Sequence, residues 1–266
     1  MNLYFSYPKI NICFKILGFL DSNYCDIFSR YRLVTNDVFD EIYIKDSAVF
    51  KIKGNFDCEL FDNLIFKAKE ALKAYLYKDP KNNKKLKYLE SYSIEVNKNI
   101  PSCSGLGGGS SNAATYLVAF NEILELNLSK EILNEIASNI GADVSFFIYN
   151  YSSANVYGKG EKILPYEEEN LEFSIFTPPL KIETKEVFNE FKKNFKLCNN
   201  DLNLDSFSSF NSRYLLSNYN IEFLNDLFLP ALKRYPLLEE FIEDKYFFSG
   251  SGGSFFKLKN ENSSYK

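Results

Sequence analysis

Alternating apolar and polar residues near the start of the chain predict a β-strand. Its two faces hold four side chains each: Ile10, Ile12, Phe14 and Ile16 on the apolar face, and Lys9, Asn11, Cys13 and Lys15 on the other. Successive side chains of a strand point to opposite sides of its sheet. We therefore expect one buried face and one polar face.

The first half of the chain mixes further strand patterns with helical spacing. Residues 39–44 and 48–52 predict a hairpin around residues 45–47, and residues 92–96 predict another strand. Asp62 is expected to cap a helix with Leu64, Ile65, Ala68, Leu72 and Tyr75 as its apolar positions. The lysine-rich stretch 78–90 is typical of an exposed loop.

Helical spacing continues after residue 110 and gives way to mixed patterns near residue 150. Residues 110–126 predict a helix with Ala114, Leu117, Val118 and Leu124 buried. A second helix is expected to begin at a Ser129 cap and to end at Gly141. Later segments predict a strand at 171–177, a helix at 184–195, a helix at 221–243 interrupted at Pro230 and Pro236, and a strand–turn–strand at 246–259. This mixed order favours an α+β fold with domains 1–150 and 151–266.

Composition and charge exclude several classes of function. Among 266 residues, 31 Lys+Arg against 35 Asp+Glu give a net charge of −4, with no basic excess for nucleic acid or an anionic membrane. The chain has no histidine, so proton transfer falls to a carboxylate, lysine or tyrosine. The five cysteines are widely spaced, so neither a zinc cluster nor a disulfide framework is expected. The sequence shows no signal-peptide pattern and no apolar run long enough to span a membrane. We expect a reduced, cytoplasmic protein with no nucleic-acid, membrane or obligate protein partner.

The segment PSCSGLGGGSSNAA, residues 101–114, predicts a phosphate-binding loop. Its glycines at 105 and 107–109 permit left-handed backbone and close approach to a ligand. Successive N–H groups in such a loop, together with the start of the following helix, attract anions. Ser110 and Ser111 add hydroxyls suited to a phosphate oxygen or a metal-bound water.

Other interpretations of this glycine loop fit less well. A Walker A loop requires Gly-Lys-Ser/Thr after the glycines, and a dinucleotide-binding unit requires an acidic residue after a following strand. The sequence has neither. A flexible Gly/Ser linker remains the alternative, although a predicted strand enters the loop directly and an amphipathic helix leaves it.

The loop resembles the ATP-binding motif of the GHMP kinases, the family of galactokinase, homoserine kinase and mevalonate kinase. Further segments support the resemblance in order along the chain: PKINICFKILG (8–18), DNLI (62–65), IGADVSFF (140–147), GKGEKILP (158–165) and SGSGGSFF (249–256). Together they span nearly the whole chain. The resemblance narrows to family members that phosphorylate a cytidine-diphosphate-linked methylerythritol in isoprenoid precursor biosynthesis.

This resemblance implies an architecture and a reaction. An N-terminal ATP-binding domain and a ferredoxin-like C-terminal domain would place the active site in the cleft between them. The γ-phosphoryl group of ATP, with Mg²⁺, would move to the 2-hydroxyl of the methylerythritol moiety. Mg²⁺ is expected to arrive with ATP, with Ser110 as its candidate protein contact.

The resemblance places the two catalytic positions at Lys9 and Asp143. Asp143 would orient and deprotonate the 2-hydroxyl, and Lys9 would keep Asp143 ionised and offset charge on the transferring group. Without the resemblance, Asp143 is most simply a turn residue or a helix cap. Lys9 alone would be a solvated surface lysine.

The resemblance also implies two sets of binding residues. The cofactor side comprises Pro101, Ser102, Cys103, Ser104, Gly105, Leu106, Gly107, Gly108, Gly109, Ser110 and Ser111, with Asn63 and Lys98. The substrate side comprises Asn11, Tyr24, Cys25, Thr184 and Phe188, where the two aromatic rings would sandwich the cytosine. The structural alternatives are a helix start for Asn63, a loop charge for Lys98, an N-cap for Thr184 and core packing for both aromatics.

One departure from the family bears on base recognition. Residues 21–25 read Asp-Ser-Asn-Tyr-Cys, whereas the family usually reads Asp-Gly-Tyr-His. A thiol replaces a histidine poorly as a hydrogen-bonding group, so we expect backbone groups near Cys25 to keep the cytosine contact. Two alternative functions remain: a GHMP kinase for homoserine or a mevalonate-type alcohol, and a non-catalytic ATP-binding relative.

Overall fold

The computed structural model describes residues 1–20, 25–194, 203–242 and 246–259, which form two compact units. The first unit contains Met1–Pro8, Val38–Ser102 and Gly107–Asn150. The second contains Lys9–Asp37, Cys103–Leu106 and the chain from Tyr151 onward. The domain division after residue 150 stays a prediction, and the second unit differs from it by including Lys9–Asp37 and Cys103–Leu106. Helices and strands occur in both units, as the α+β prediction requires.

The first unit contains a sheet of four strands: β1 (Asn2–Ser6), β4 (Asp40–Asp46), β6 (Tyr92–Asn97) and β5 (Lys51–Gly54), in this spatial order. The pairs β1–β4 and β4–β6 are antiparallel, whereas β5 runs parallel to β6. The predicted hairpin of residues 39–52 is therefore wrong. Since β1 and β6 occupy both edges of β4, β5 extends the sheet beyond β6 instead.

The α-helices of the first unit are α1 (Leu64–Leu76), α2 (Asn83–Leu89), α3 (Gly108–Ile123), α4 (Lys130–Ser138) and α5 (Val144–Tyr149). Asn63, not Asp62, caps α1, because its side-chain oxygen accepts a hydrogen bond from the Ile65 amide at 2.9 Å. Ser129 caps α4 as predicted. None of the helices in the described ranges has the length and apolar character required to cross a membrane.

Two expectations for these helices are wrong. Residues 78–90 contain α2, which the buried Leu89 anchors, rather than only a loop. Val118 on α3 is 43% exposed, whereas Leu117 is buried. Consecutive residues lie about 100° apart around a helix, so the packed side of α3 excludes Val118.

The second unit contains an antiparallel sheet of β2 (Lys9–Phe19), β3 (Cys25–Leu33), β7 (Ser153–Gly158) and β8 (Lys162–Pro165), in this order. Both faces of β2 are buried over most of its length. The expectation that this strand has one solvated polar face is therefore wrong, and so is the alternative interpretation of Lys9 as a solvated surface lysine. Lys15 on the same face forms an ion pair with Asp226, as buried charges generally require a partner.

A smaller antiparallel sheet in the second unit has the order β10 (Phe247–Phe248), β11 (Phe255–Leu258) and β9 (Phe173–Phe176). It confirms the predicted strand–turn–strand at the end of the described chain. The α-helices here are α6 (Thr184–Asn194), α7 (Leu204–Ser209), α8 (Ser212–Asn218), α9 (Ile221–Leu224) and α10 (Phe228–Arg234). Beyond α10, Pro236–Phe241 forms a 3-10 helix.

The predicted long helix over residues 221–243 is divided earlier than its prolines suggest. The chain leaves the helical conformation at Asn225, where φ is −133° and ψ is 105°. Pro230 lies within the first turn of α10, a position that tolerates proline. The second proline, Pro236, does end the regular α-helix, since the 3-10 helix begins there.

Candidate active site

The glycine loop turns into α3 through left-handed backbone at alternate residues. Cys103, Gly105 and Gly107 have φ of 53°, 79° and 70°, whereas Gly108 and Gly109 already belong to α3. Gly107 is the N-cap and has no side chain with which to cap the helix. No side chain at the N-cap therefore accepts hydrogen bonds from the first N–H groups of this 16-residue helix. An anion site at a helix N-terminus uses N–H groups left uncapped in this way.

A cluster of buried polar side chains in the first unit fixes the start of α3. Asn112 donates from Nδ2 to Asp40 Oδ2 at 2.8 Å and to Ser6 Oγ at 2.9 Å. Ser6 in turn donates to Ser111 Oγ at 2.7 Å. Lys98 forms an ion pair with Asp40 and donates to Asn112 Oδ1 at 3.2 Å. The Ser111 hydroxyl and the Lys98 ammonium therefore both belong to the cluster that fixes the start of α3.

Asp40 is the centre of this cluster, and its role was not predicted from the sequence. Its side chain is fully buried, and Oδ1 accepts hydrogen bonds from the amides of Asn99 and Ile100 at 2.7 and 2.8 Å. These two amides lie just before the glycine loop, so Asp40 fixes the entry of the loop. An isolated aspartate at the start of a strand gives no signal of such a role in the sequence.

In the second unit, Lys9 is only 3% exposed and its ammonium is held by two acceptors. Nζ donates to Asn11 Oδ1 at 2.7 Å and to the Gly105 carbonyl oxygen at 2.9 Å, and it lies 4.7 Å from the centre of the Tyr31 ring. The Lys9 amide also donates to the Leu106 carbonyl oxygen at 2.9 Å. The first part of the glycine loop is thus attached to the first residue of β2.

The glycine turn between β10 and β11, residues 249–253, packs against the same part of the loop. The Ser254 amide donates to the Ser104 carbonyl oxygen at 3.0 Å. A Cβ on Gly105 would lie 2.2 Å from the Ser249 carbonyl oxygen, which is closer than any real contact. The turn therefore supports the start of the glycine loop, a role that the sequence left open.

Ser251 connects the same turn to a predicted substrate residue. Its hydroxyl donates to Thr184 Oγ1 at 2.9 Å, at the first residue of α6. One turn along this helix, Phe188 is partly buried and meets Phe14 edge to face at 6.1 Å. Phe188 thus packs on the core while retaining some exposure.

Cys25 begins β3 and is buried in the apolar core of the second unit. Burial raises the pKa of its thiol, which is therefore neutral at pH 7. Tyr24, the other half of the predicted cytosine sandwich, lies outside the described residues. The substrate role of both positions stays a prediction.

Asp143 lies in the first unit, immediately before α5. It occupies the N-cap position with φ of −85° and ψ of −11°, but its side chain forms no capping hydrogen bond. Of the two alternative interpretations, the structure supports a turn residue, since residues 142–143 form a turn, and does not support a side-chain helix cap. Asn63, in contrast, is the N-cap of α1, as its structural alternative holds.

Within the described ranges, no cluster of three or more acidic, cysteine or histidine side chains could hold a metal ion. The four described cysteines, Cys13, Cys25, Cys58 and Cys103, are free thiols.

Comparison with known proteins identifies the family. Residues 63–151 match the family model described as GHMP kinases N terminal domain. The 4-diphosphocytidyl-2-C-methyl-D-erythritol kinase of Sulfurimonas denitrificans is 40% identical, covering 98% of each chain. The Helicobacter pylori protein of the same name is 39% identical, over 96% of this chain and 93% of its own. The chain belongs to the 4-diphosphocytidyl-2-C-methyl-D-erythritol kinase family.

Solved structures confirm the GHMP kinase fold. A crystal structure of 4-(cytidine 5'-diphospho)-2C-methyl-D-erythritol kinase matches with a TM-score of 0.74 at 24% identity, covering 97% of this chain and 90% of that one. A mevalonate kinase structure matches with a TM-score of 0.63 at 16% identity, covering 98% and 92%. The resemblance inferred from the glycine loop and the five other segments is thereby confirmed, as is membership of a family of small-molecule kinases.

Proposed function

We propose that the protein transfers the γ-phosphoryl group of ATP to the 2-hydroxyl of 4-diphosphocytidyl-2-C-methyl-D-erythritol. The observation that carries this proposal is identity of 36–40% over nearly the full length to curated kinases of that name. The product would feed isoprenoid precursor biosynthesis. We also propose that the enzyme works in the cytoplasm without a nucleic-acid or obligate protein partner, consistent with its net charge of −4 and its free thiols.

The glycine loop is the proposed site of the ATP phosphates. Left-handed backbone at Gly105 and Gly107 and the uncapped start of α3 support this assignment, because they present main-chain N–H donors to an anion. The Ser110 hydroxyl, in the first turn of α3, would add a donor or contact the metal. Mg²⁺ bound with ATP would neutralise phosphate charge, with Ser110 as the proposed protein contact.

Asp143 is the proposed general base and Lys9 the proposed electrostatic partner. The 2-hydroxyl proton would pass to the Asp143 carboxylate while the hydroxyl oxygen bonds to the γ-phosphorus, and the bond from that phosphorus to the bridging oxygen of ADP breaks. The Lys9 ammonium would offset charge on the transferring group. Two acceptors, Asn11 Oδ1 and the Gly105 carbonyl oxygen, support this role because they fix the ammonium in one place.

Cytosine recognition is proposed to rest on Phe188, Tyr24 and backbone groups near Cys25. Burial of the Cys25 side chain supports a contact through the backbone rather than the thiol. Phe188 retains the partial exposure that stacking requires. Thr184 and Asn11 are proposed to contact the polar part of the substrate.

The decisive experiment is a coupled ADP-release assay with three acceptor alcohols. We expect turnover with 4-diphosphocytidyl-2-C-methyl-D-erythritol and none above background with homoserine or mevalonate. Preference for either of the latter would support the other GHMP kinase alternative. ATP binding without turnover of any of the three would support the non-catalytic relative.

A further inference from the structure

The dipeptide Asn225–Asp226, where the chain leaves α9, binds two other segments of the second unit. Asn225 is 2% exposed, and its Nδ2 donates to the carbonyl oxygens of Phe248 and Gly250, both at 2.9 Å. Its Oδ1 accepts from the Leu227 amide at 2.9 Å. Both N–H donors of the Asn225 carboxamide are therefore bonded to the two residues on either side of Ser249.

Asp226 attaches the same dipeptide to β2. Its amide donates to the Phe14 carbonyl oxygen at 2.9 Å, and its Oδ2 accepts from the Ile16 amide at 2.8 Å. Its carboxylate also forms the buried ion pair with Lys15. The dipeptide therefore joins β2, the strand that begins at Lys9, to the glycine turn 249–253.

Ser249 connects the Phe248–Gly250 segment to the residues that bind Lys9. The Asn11 amide donates to Ser249 Oγ at 3.2 Å, and Ser249 Oγ lies 3.4 Å from the Gly105 carbonyl oxygen. Asn11 Oδ1 and the Gly105 carbonyl oxygen both accept hydrogen bonds from the Lys9 ammonium. Asn225, 216 positions after Lys9 in the sequence, is thus connected through Ser249 to both acceptors, since Ser249 Oγ also lies 3.4 Å from Asn11 Oδ1.

We propose that Asn225 is a positioning residue, which sets the place of the Lys9 ammonium through the Phe248–Gly250 segment and Ser249. This inference rests on the catalytic role proposed for Lys9. Asn225 does not act on the substrate itself. It acts because a carboxamide is the one side chain of this size that can donate to two carbonyl oxygens while accepting from an amide.

The test uses Asn225→Asp, which keeps the shape and the acceptor but removes both donors. Displacing a catalytic group by up to an ångström lowers the rate by up to about 100-fold, so we expect kcat to fall by about 10- to 100-fold. In a Lys9→Ala background the same substitution should change kcat by less than about twofold, since nothing remains to be positioned. An equal loss in both backgrounds, or no loss in the wild-type background, would overturn the proposal.

Asn121→Asp is the matched control. Asn121 also bridges backbone groups, with Nδ2 donating to the Leu128 carbonyl oxygen at 3.1 Å and Oδ1 accepting from its amide at 2.9 Å, but it lies on α3 facing a different loop. We expect a lower melting temperature and a kcat within about twofold of wild type. If Asn225→Asp does not fold, Ser249→Ala takes its place: unchanged kcat in that variant would overturn the proposal.

Hydrogen exchange separates this inference from the proposed function. Peptides covering residues 101–107 and 247–255 should exchange faster in Asn225→Asp than in wild type, whether or not the protein turns over substrate. Unchanged exchange in both peptides would overturn the positioning role. A wild type without kinase activity, or a Lys9→Ala variant with full kcat, would instead overturn the proposed function, and the exchange result would still decide for or against Asn225.

Discussion

Gly252 lies so close to Gly105 that a Cβ on Gly252 would be 1.9 Å from the Gly105 nitrogen. The glycine turn and the start of the glycine loop therefore meet backbone to backbone, with no room for a methyl group. The sequence does not predict this contact, because nothing in either Gly/Ser-rich segment indicates that it packs against the other, 147 positions away. The conformation of the loop depends on the turn that supports it.

Gly252→Ala should disturb the glycine loop. The new methyl group must displace the backbone of Ser104 and Gly105, and overpacking of this kind costs about 1–3 kcal/mol of the free energy of unfolding. We expect a lower melting temperature and weaker binding of an ATP analogue by calorimetry. Gly18→Ala is the control, since nothing lies within 4 Å of a Cβ there. Wild-type affinity and melting temperature in Gly252→Ala would contradict the contact.

Lys9→Ala should lower kcat strongly while leaving the fold intact. Removing one positioned hydrogen-bond donor that stabilises the charge developing in the transition state typically lowers the rate by about 100- to 1,000-fold. We expect kcat to fall by about that factor in the ADP-release assay. Lys53→Ala is the control, because Lys53 is an exposed residue of β5. A loss of kcat equal in both variants would show that charge in general, and not the Lys9 position, is responsible.

The sequence predicts the local elements of this fold better than their partners. Alternation in β2 and helical spacing in α3 and α4 are properties of neighbouring residues, and these elements form where they are predicted. The polar face of β2 is buried because Asp226 and Gly105 supply partners from distant parts of the chain. Long-range pairing of this kind leaves no periodicity, which is why the expected solvated face of β2 and the expected hairpin of residues 39–52 were wrong.

The same limit applies to the candidate site. Family motifs led to the glycine loop, Lys9 and Asp143, because such motifs are contiguous. Asp40 and Asn225 have no motif that distinguishes them from other surface or cap residues, although both are buried and each bonds two backbone groups near the site. Their roles follow only from their contacts in the folded chain.

Asp143→Asn should reduce turnover without preventing ATP binding. An asparagine keeps the shape but cannot accept the hydroxyl proton, and general base catalysis contributes about 100- to 10,000-fold. We expect a kcat loss in that range in the ADP-release assay, with Asp46→Asn on the exposed end of β4 as the control. If wild type and Asp143→Asn release ADP at the same slow rate, Asp143 is not the base.

Glu168 should make folding stability depend on pH in the acidic range. Burial alone would raise the pKa of its carboxyl, but hydrogen bonds from Ser153 and Ser212 and the Arg32 guanidinium outweigh burial and leave the pKa below its usual value of 4.5. A carboxyl whose pKa is lower in the folded state stabilises the fold above the unfolded pKa. That contribution is lost as the pH falls through the folded pKa.

Glu168→Gln therefore should lower the free energy of unfolding at pH 7 by about 3 kcal/mol, because Arg32 and Arg30 would keep buried charges without their partner. The difference from wild type should shrink as the pH falls below 4.5 in urea unfolding experiments. Glu169→Gln is the control: its ion pair with Arg213 is exposed to solvent, and we expect a much smaller change in the free energy of unfolding. A pH-independent difference for Glu168→Gln would contradict the assignment.

Cytosine selection should survive removal of the Cys25 thiol. The side chain lies in the apolar core with Phe14, Val187 and Phe191, so Cys25→Ala should cost stability, about 1 kcal/mol, rather than change the preference for the base. We expect wild type and Cys25→Ala to show the same ratio of kcat/KM for the cytidine- and uridine-diphospho substrates, with the cytidine compound favoured in both.

Loss of the preference only in Cys25→Ala would assign base recognition to the thiol. Equal rates with both substrates in wild type would show that this chain does not select cytosine, and the backbone contact proposed near Cys25 would then be wrong.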